Sequence, residues 1–162
     1  MISLADYTNL EQLTPRLENR SASAAIAELC SRLDHAGKLQ DSLSFYDAVI
    51  RREKLSSTAT AYGLALPHAR ADGLPELSFA LGITSEPLAW FDKTPELVRM
   101  VFLFAVPDGE VRNYLKLISG LARLSRDPVY LSRLLQAPDC QAMLQMLQQI
   151  PLREARAAAV RS

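Results

Sequence analysis

Residues 100–107 read Met-Val-Phe-Leu-Phe-Ala-Val-Pro, the longest apolar run in the chain. It has the length of a strand and falls well short of the ~20 apolar residues that a membrane-spanning helix needs. Successive strand side chains point to opposite sides, so an unbroken apolar run is expected of a strand buried on both faces. A strand is therefore predicted over residues 98–106.

The segments on either side have a different period. Over 21–36, Ala22, Ile26, Leu29 and Leu33 recur at helical spacing and Gly37 supplies a stop. A second helix is predicted over 42–54. Phe45, Ala48, Val49 and Arg52 share one face of it, and Tyr46, Ile50 and Glu53 the adjacent face. An arginine continuing an apolar stripe either snorkels outward or points into a polar pocket at the helix end. Short strands are expected at 64–66 and 77–83, with a further candidate at 88–92, and Pro75, Pro87, Pro95 and Pro107 punctuate the loops.

After residue 110 the pattern is helical again. Val111, Tyr114, Leu115, Ile118 and Ala122 make a stripe, and Asp127-Pro128 reads as an N-cap followed by proline at the first helical position. Pro138 ends that helix and opens a last one carrying Met143, Leu147 and Ile150. Helices, then strands, then helices predict a single α/β layer domain over residues 1–150, with 151–162 as a C-terminal tail.

Composition excludes several classes. Lysine plus arginine and aspartate plus glutamate both number 18, for a formal net charge of zero, whereas a duplex nucleic-acid binder carries a basic excess. The N-terminus lacks the basic and apolar regions of a secretory signal, so a cytoplasmic protein that is not membrane-embedded is expected. Cys30 and Cys140 are distant and read as reduced core thiols. Two histidines and two separated cysteines form no zinc pattern, and neither a phosphate-binding glycine loop nor a Gly-x-Ser-x-Gly elbow occurs. No metal or cofactor is expected.

The chemistry concentrates between residues 51 and 70. A basic helix end is followed by Ser57-Thr58, a Gly63 turn and Ala65-Leu66-Pro67-His68, then Arg70. His68 thus falls at the end of a predicted strand. Imidazole is a neutral nucleophile near pH 7. Once phosphorylated it needs donors and positive charge around it, which Arg52, Arg70, Ser57 and Thr58 are of the type to supply. The alternatives are plain: Arg52 as a solvated cation at a helix C-terminus, and Ser57 and Thr58 as turn residues serving local backbone groups.

Arg52-Glu53, Ser57-Thr58, Gly63 and Ala65-Leu66-Pro67-His68 resemble the motif of enzyme IIA domains of the bacterial phosphoenolpyruvate-dependent phosphotransferase system, in the mannitol/fructose/nitrogen-regulatory branch. The likeness continues through Val101-Phe102-Leu103-Phe104-Ala105-Val106-Pro107 and Leu115-Lys116-Leu117-Ile118. The resemblance implies a mixed, mostly parallel sheet flanked by helices on both faces. It implies that His68 is the phosphoacceptor, charged by an HPr-like phosphocarrier, with Arg52 and Thr58 beside it. The phosphoryl group then passes to a IIB domain or serves as a signal to a regulatory target. With no fused membrane or sugar-site domain in the sequence, a free-standing member is expected, regulatory like the nitrogen branch or serving as the IIA component of a separate fructose/mannitol-type sugar permease; size and the absence of fused domains favour regulation.

The chain departs from the pattern at Tyr114, where the family usually has a second histidine. A tyrosine still donates one hydrogen bond but carries no imidazolium charge. It also fits the apolar stripe of its helix. A rival expectation follows: a regulatory binding module with the same fold and weakened phosphotransfer.

Overall fold

The computed structural model describes residues 1–18, 20–91 and 95–153. Two short 3-10 turns, Leu4–Tyr7 and Leu10–Gln12, lead into β1 (Leu13–Leu17). Then come α1 (Ala22–His35), α2 (Ser42–Leu55), β2 (Leu64–Ala65), β3 (His68–Ala71), β4 (Ser78–Ala89) and β5 (Leu97–Pro107). Three helices follow: α3 (Val111–Ser125), α4 (Pro128–Leu135) and α5 (Cys140–Gln148).

The sheet runs β1-β4-β5-β2, with β3 also paired to β5. β4 and β5 are antiparallel, while β1 with β4, β2 with β5 and β3 with β5 are parallel. This is the mixed, mostly parallel sheet that the resemblance implied. β2 and β3 are two pieces of one edge: Ala65 pairs with Val101 and His68 with Phe104, so the register is kept across Leu66-Pro67.

The apolar run of β5 is explained by its two coverings. Val101, Leu103 and Ala105 pack into a core with α1 and α2, whereas Met100, Phe102, Phe104 and Val106 pack into a second core with α3, α4 and α5. Phe79 joins Phe102 and Phe104 in the second core, with ring centroids 5.8 and 5.6 Å away. Gly82 lies where β4 receives Leu17 of β1, and a Cβ there would stand 2.6 Å from the Leu17 side chain. A larger residue there would force the Leu17 side chain to shift.

The helix boundaries follow local chemistry. Ser21, Asp41, Asp127 and Asp139 cap α1, α2, α4 and α5 through side-chain acceptors, and Pro128 opens α4. Gly37, at φ 76°, follows α1 as the expected stop.

Several expectations are corrected. β1 was not predicted; it is five residues long and contains Pro15, which an edge strand tolerates because only one side of it pairs. Residues 78–83 and 88–89 belong to one strand, β4, whose pairing is interrupted between Ile83 and Leu88; Trp90 and Phe91 lie beyond its end and Asp92 outside the described residues. His68 begins a strand rather than ending one. In α3 the buried face is Leu117, Gly120, Leu121 and Leu124, while Leu115 and Ala122 are exposed. Two heptad-compatible stripes exist in that helix, and contact with β5 selected the other. In α2 the residue that continues the buried line of Phe45 and Val49 is Glu53, and Arg52 is exposed.

The N-terminus is tied to the end of the domain: Ser3 bridges Pro151, and the Leu152 amide donates to the Ile2 carbonyl at 2.9 Å. The expected tail beyond Arg153 lies outside the described residues. No helix among the described residues is long and apolar enough to cross a membrane.

Candidate active site

His68 takes its position from both neighbours of the sheet edge. Pro67 has no N–H to give, but its carbonyl accepts from the Phe104 amide at 3.0 Å, which holds the chain against β5 just before the histidine. The His68 ring then turns back: Nδ1 lies 3.1 Å from the Leu66 carbonyl. A carbonyl only accepts, so Nδ1 carries the proton and Nε2 keeps its lone pair. One nitrogen is anchored and the other is free to attack.

The ring is half-buried. Burial pushes its pKa below the ordinary imidazole value of 6.5; the Arg52 charge lowers it further, while the Leu66 hydrogen bond and Glu53 pull the other way. The ring is therefore neutral at pH 7, the form in which imidazole is a nucleophile. Reactivity should be lost only as pH falls through a value below 6.5, since protonation consumes the Nε2 lone pair. An NMR titration of the His68 ring protons is expected to place the midpoint there, and Arg52→Met is expected to move it upward. A midpoint at or above the ordinary value in the natural chain would contradict this reading.

Tyr114, on the first turn of α3, packs beside the imidazole with ring centroids 5.2 Å apart. It also meets Phe104 edge-on at 5.4 Å, so the β5 core locates it. Burial pushes its phenol up to about 12. Tyr114 is thus a neutral hydroxyl beside the imidazole. Arg52 sits exposed in the last turn of α2, and its charge is felt by both the His68 ring and the Tyr114 hydroxyl. Arg70, on β3, is exposed.

The hydroxyls divide. The Ser57 Oγ accepts from the Ala59 amide at 3.1 Å, a local turn bond that leaves its proton available. The Thr58 hydroxyl donates to Glu53 Oε1 at 2.6 Å and accepts from the Leu66 amide at 2.9 Å. Its single proton is directed at Glu53, so Thr58 reaches His68 through Leu66.

Glu53 is the residue that sequence reasoning passed over. It is 2% exposed and accepts from the Thr58 hydroxyl, the Thr58 amide at 3.2 Å and the Trp90 Nε1 at 2.8 Å. Trp90, fully buried, closes the far end of this network. A run of hydrogen bonds thus leads from Trp90 through Glu53 and Thr58 to the Leu66 backbone, whose amide donates to Thr58 and whose carbonyl faces the His68 ring. The signal was present in the Arg52-Glu53 pair, but nothing in the sequence says which of the two faces inward.

Among the described residues no group of three or more His, Cys, Asp or Glu side chains is placed to hold a metal ion. One oriented, neutral imidazole, a guanidinium whose charge reaches it and a neutral phenol beside it are the chemical parts with which a group can be held on nitrogen.

Comparison with known proteins gives this class its family. The pattern of "Phosphoenolpyruvate-dependent sugar phosphotransferase system, EIIA 2" matches residues 6–150. A nitrogen regulatory protein of Bradyrhizobium diazoefficiens is 29% identical over 89% of this chain and 94% of its own length. The 2-O-alpha-mannosyl-D-glycerate-specific EIIABC component of Escherichia coli is 35% identical over 80% of this chain, which spans only 20% of that larger protein. Among solved structures, the nitrogen regulatory protein IIA-Ntr of Neisseria meningitidis superposes with a TM-score of 0.77 at 20% identity, covering 89% of this chain and 98% of that one. The mannitol IIA of Escherichia coli superposes with a TM-score of 0.73 at 19% identity, covering 86% and 97%. The chain belongs to the EIIA type 2 family of the phosphotransferase system, whose domains act in phosphoryl transfer.

Proposed function

We propose that this chain is a cytoplasmic phosphoryl carrier whose acceptor atom is Nε2 of His68. The observation that carries the reading is the Nδ1–Leu66 bond, which leaves Nε2 as the one ring nitrogen with a free lone pair. An HPr-like carrier presents its phosphohistidine. The bond from phosphorus to the donor's ring nitrogen breaks as the bond to Nε2 forms, and the electron pair of the broken bond stays on the donor imidazole. His68 becomes cationic as it takes the group, and the Leu66 carbonyl supports that charge through the Nδ1 proton. Arg52 offsets the phosphoryl charge, and the Tyr114 hydroxyl donates to a phosphoryl oxygen. Thr58 is a positioning residue acting through Leu66.

The group then leaves for a IIB-type domain or persists as a signal to a regulated target. One solved relative of this fold is mannitol IIA in complex with phosphorylated IIB from Escherichia coli, which supports the first route. The similarity to nitrogen regulatory proteins supports the second.

The test is intact mass after incubation with phosphoenolpyruvate, enzyme I and an HPr-type carrier. One acid-labile phosphoryl group is expected, and phosphorus–nitrogen couplings should place it on Nε2. Attachment at Nδ1, or no uptake by folded protein from any carrier, would overturn the assignment.

Tyr114 supplies a specific reason for the second reading, a binding module with slowed transfer. Its hydroxyl stays neutral where an imidazolium would add charge. Tyr114→Phe is expected to slow uptake roughly tenfold, the worth of one hydrogen bond to a charged group. Its pH midpoint should stay in place. If Tyr114→His instead accelerates uptake by a hundredfold or more, slowed transfer is the natural state.

A further inference from the structure

The sheet face that carries α3, α4 and α5 holds a second polar site. A cleft of about 650 Å³ lies between β1, β4, the start of β5 and the connection from α4 to α5. Arg16, Thr84, Ser85, Arg99 and Gln136 line it together with apolar residues such as Leu135, and among the described residues no acidic side chain does. His68, Arg52, Thr58 and Tyr114 are not among its lining.

Three observations give it the character of a ligand site. Thr84 is 4% exposed, yet its hydroxyl has no hydrogen-bond partner. Arg99 Nε is likewise withdrawn from solvent and unpartnered, and among the described residues no carboxylate pairs with Arg16 or Arg99. Buried donors without acceptors cost stability unless something supplies the acceptor. Finally, two pairing irregularities converge here: β1 against β4 between Thr14 and Leu17, and β4 against β5 between Ile83 and Leu88. The second removes the strict alternation of β5, since Val98 faces the α1–α2 core and Met100 the other, with Arg99 between them. Such bulges re-aim side chains and are frequent beside functional sites.

We propose that this cleft binds a small molecule carrying an oxyanion group, a carboxylate or a phosphate ester. The Arg99 guanidinium and the Thr84 hydroxyl donate to the oxyanion, and Arg16, which is exposed, adds charge from the β1 side. A guanidinium is suited to this because its planar fork matches both anions. Leu135 and Ile83 receive the apolar body of the ligand. Binding at this site does not depend on phosphotransfer.

The experiment uses the full chain in two arms, succinate for carboxylates and glycerol 3-phosphate with inorganic phosphate for phosphates, against sodium chloride at equal ionic strength. Calorimetric titration and amide NMR are the readouts. One arm is expected to bind saturably at millimolar concentration, raise the melting temperature as ligand linkage requires, and shift the Thr84, Ser85 and Arg99 amides. Arg99→Met should weaken binding at least tenfold. Thr84→Val should weaken it severalfold while leaving the ligand-free melting temperature equal or higher, because no protein hydrogen bond is lost. Should Arg99→Met fail to fold, Arg99→Lys keeps the charge, loses the fork, and should weaken binding in the same direction. Binding must survive His68→Ala, which separates this cleft from phosphate capture at the imidazole. No saturable binding in either arm beyond the chloride control would overturn the proposal. So would binding that persists undiminished in both Arg99→Met and Thr84→Val.

Discussion

His68→Ala is expected to abolish phosphoryl uptake, by roughly 10⁴-fold or more, as removal of a nucleophile does elsewhere. Nothing nearby can substitute. Tyr114 is held neutral with its phenol pushed up to about 12, and the chain's other histidine, His35, is on α1 with Nδ1 at 2.8 Å from the Ser31 carbonyl. The fold should barely respond. The ring is half-buried and makes one hydrogen bond, to Leu66, worth about 1 kcal/mol, so the melting temperature should fall by only about 2–4 °C. Intact mass over a time course, beside a thermal melt, separates the two effects. Uptake by the variant at the natural extent would remove His68 as the acceptor.

The largest stability effect should come from Glu53→Ala. The carboxylate is 2% exposed and accepts three hydrogen bonds, so its loss leaves the Trp90 indole N–H and the Thr58 amide and hydroxyl without acceptors. Unsatisfied buried donors cost about 1–3 kcal/mol each, and with partial relaxation a total of about 3–5 kcal/mol follows. For a domain of this size that is a fall in melting temperature on the order of 10 °C. Trp90 is the chain's one tryptophan, so its emission should report the lost bond directly. Uptake at low temperature, where the variant is folded, should also slow. The Leu66 carbonyl that orients His68 is held, through the Leu66 amide, by Thr58. Glu53→Gln retains one acceptor oxygen and should fall between. A melt within about 2 °C of the natural chain for Glu53→Ala would show that the network is not structural.

Legibility from sequence varied with how much of an element's outcome was local. α1 was readable because its caps, Ser21 and Gly37, and its buried stripe, Ala22 to Leu33, agree on one answer. β5 was readable because an unbroken apolar run of strand length has few other fates. β1 was not: Leu-Thr-Pro-Arg-Leu has neither clean alternation nor a long apolar run, and it is a strand because β4 offers it a parallel edge. The stripe of α3 was misread because Leu115 and Ala122 continue the helical period as well as Leu117 and Leu124 do. His68 was singled out from its motif and its chemistry, but its ring orientation was not legible, since that rests on where the Leu66 carbonyl points.

The division follows from range. Helix ends, turn positions, the central buried strand and the presence of one reactive imidazole among cations and hydroxyls are written in short stretches of chain, where capping, steric preference and hydrophobic period act between near neighbours. Contacts distant in the chain settle the rest. The approach of β1 to Gly82, the inward turn of Glu53 toward Trp90, and the seating of Tyr114 between Phe104 and His68 join residues far apart in sequence. The local sequence left each of those outcomes open. Burial of one side chain against a particular partner decided each, and the same packing leaves the His68 ring half-buried, neutral and held at Nδ1.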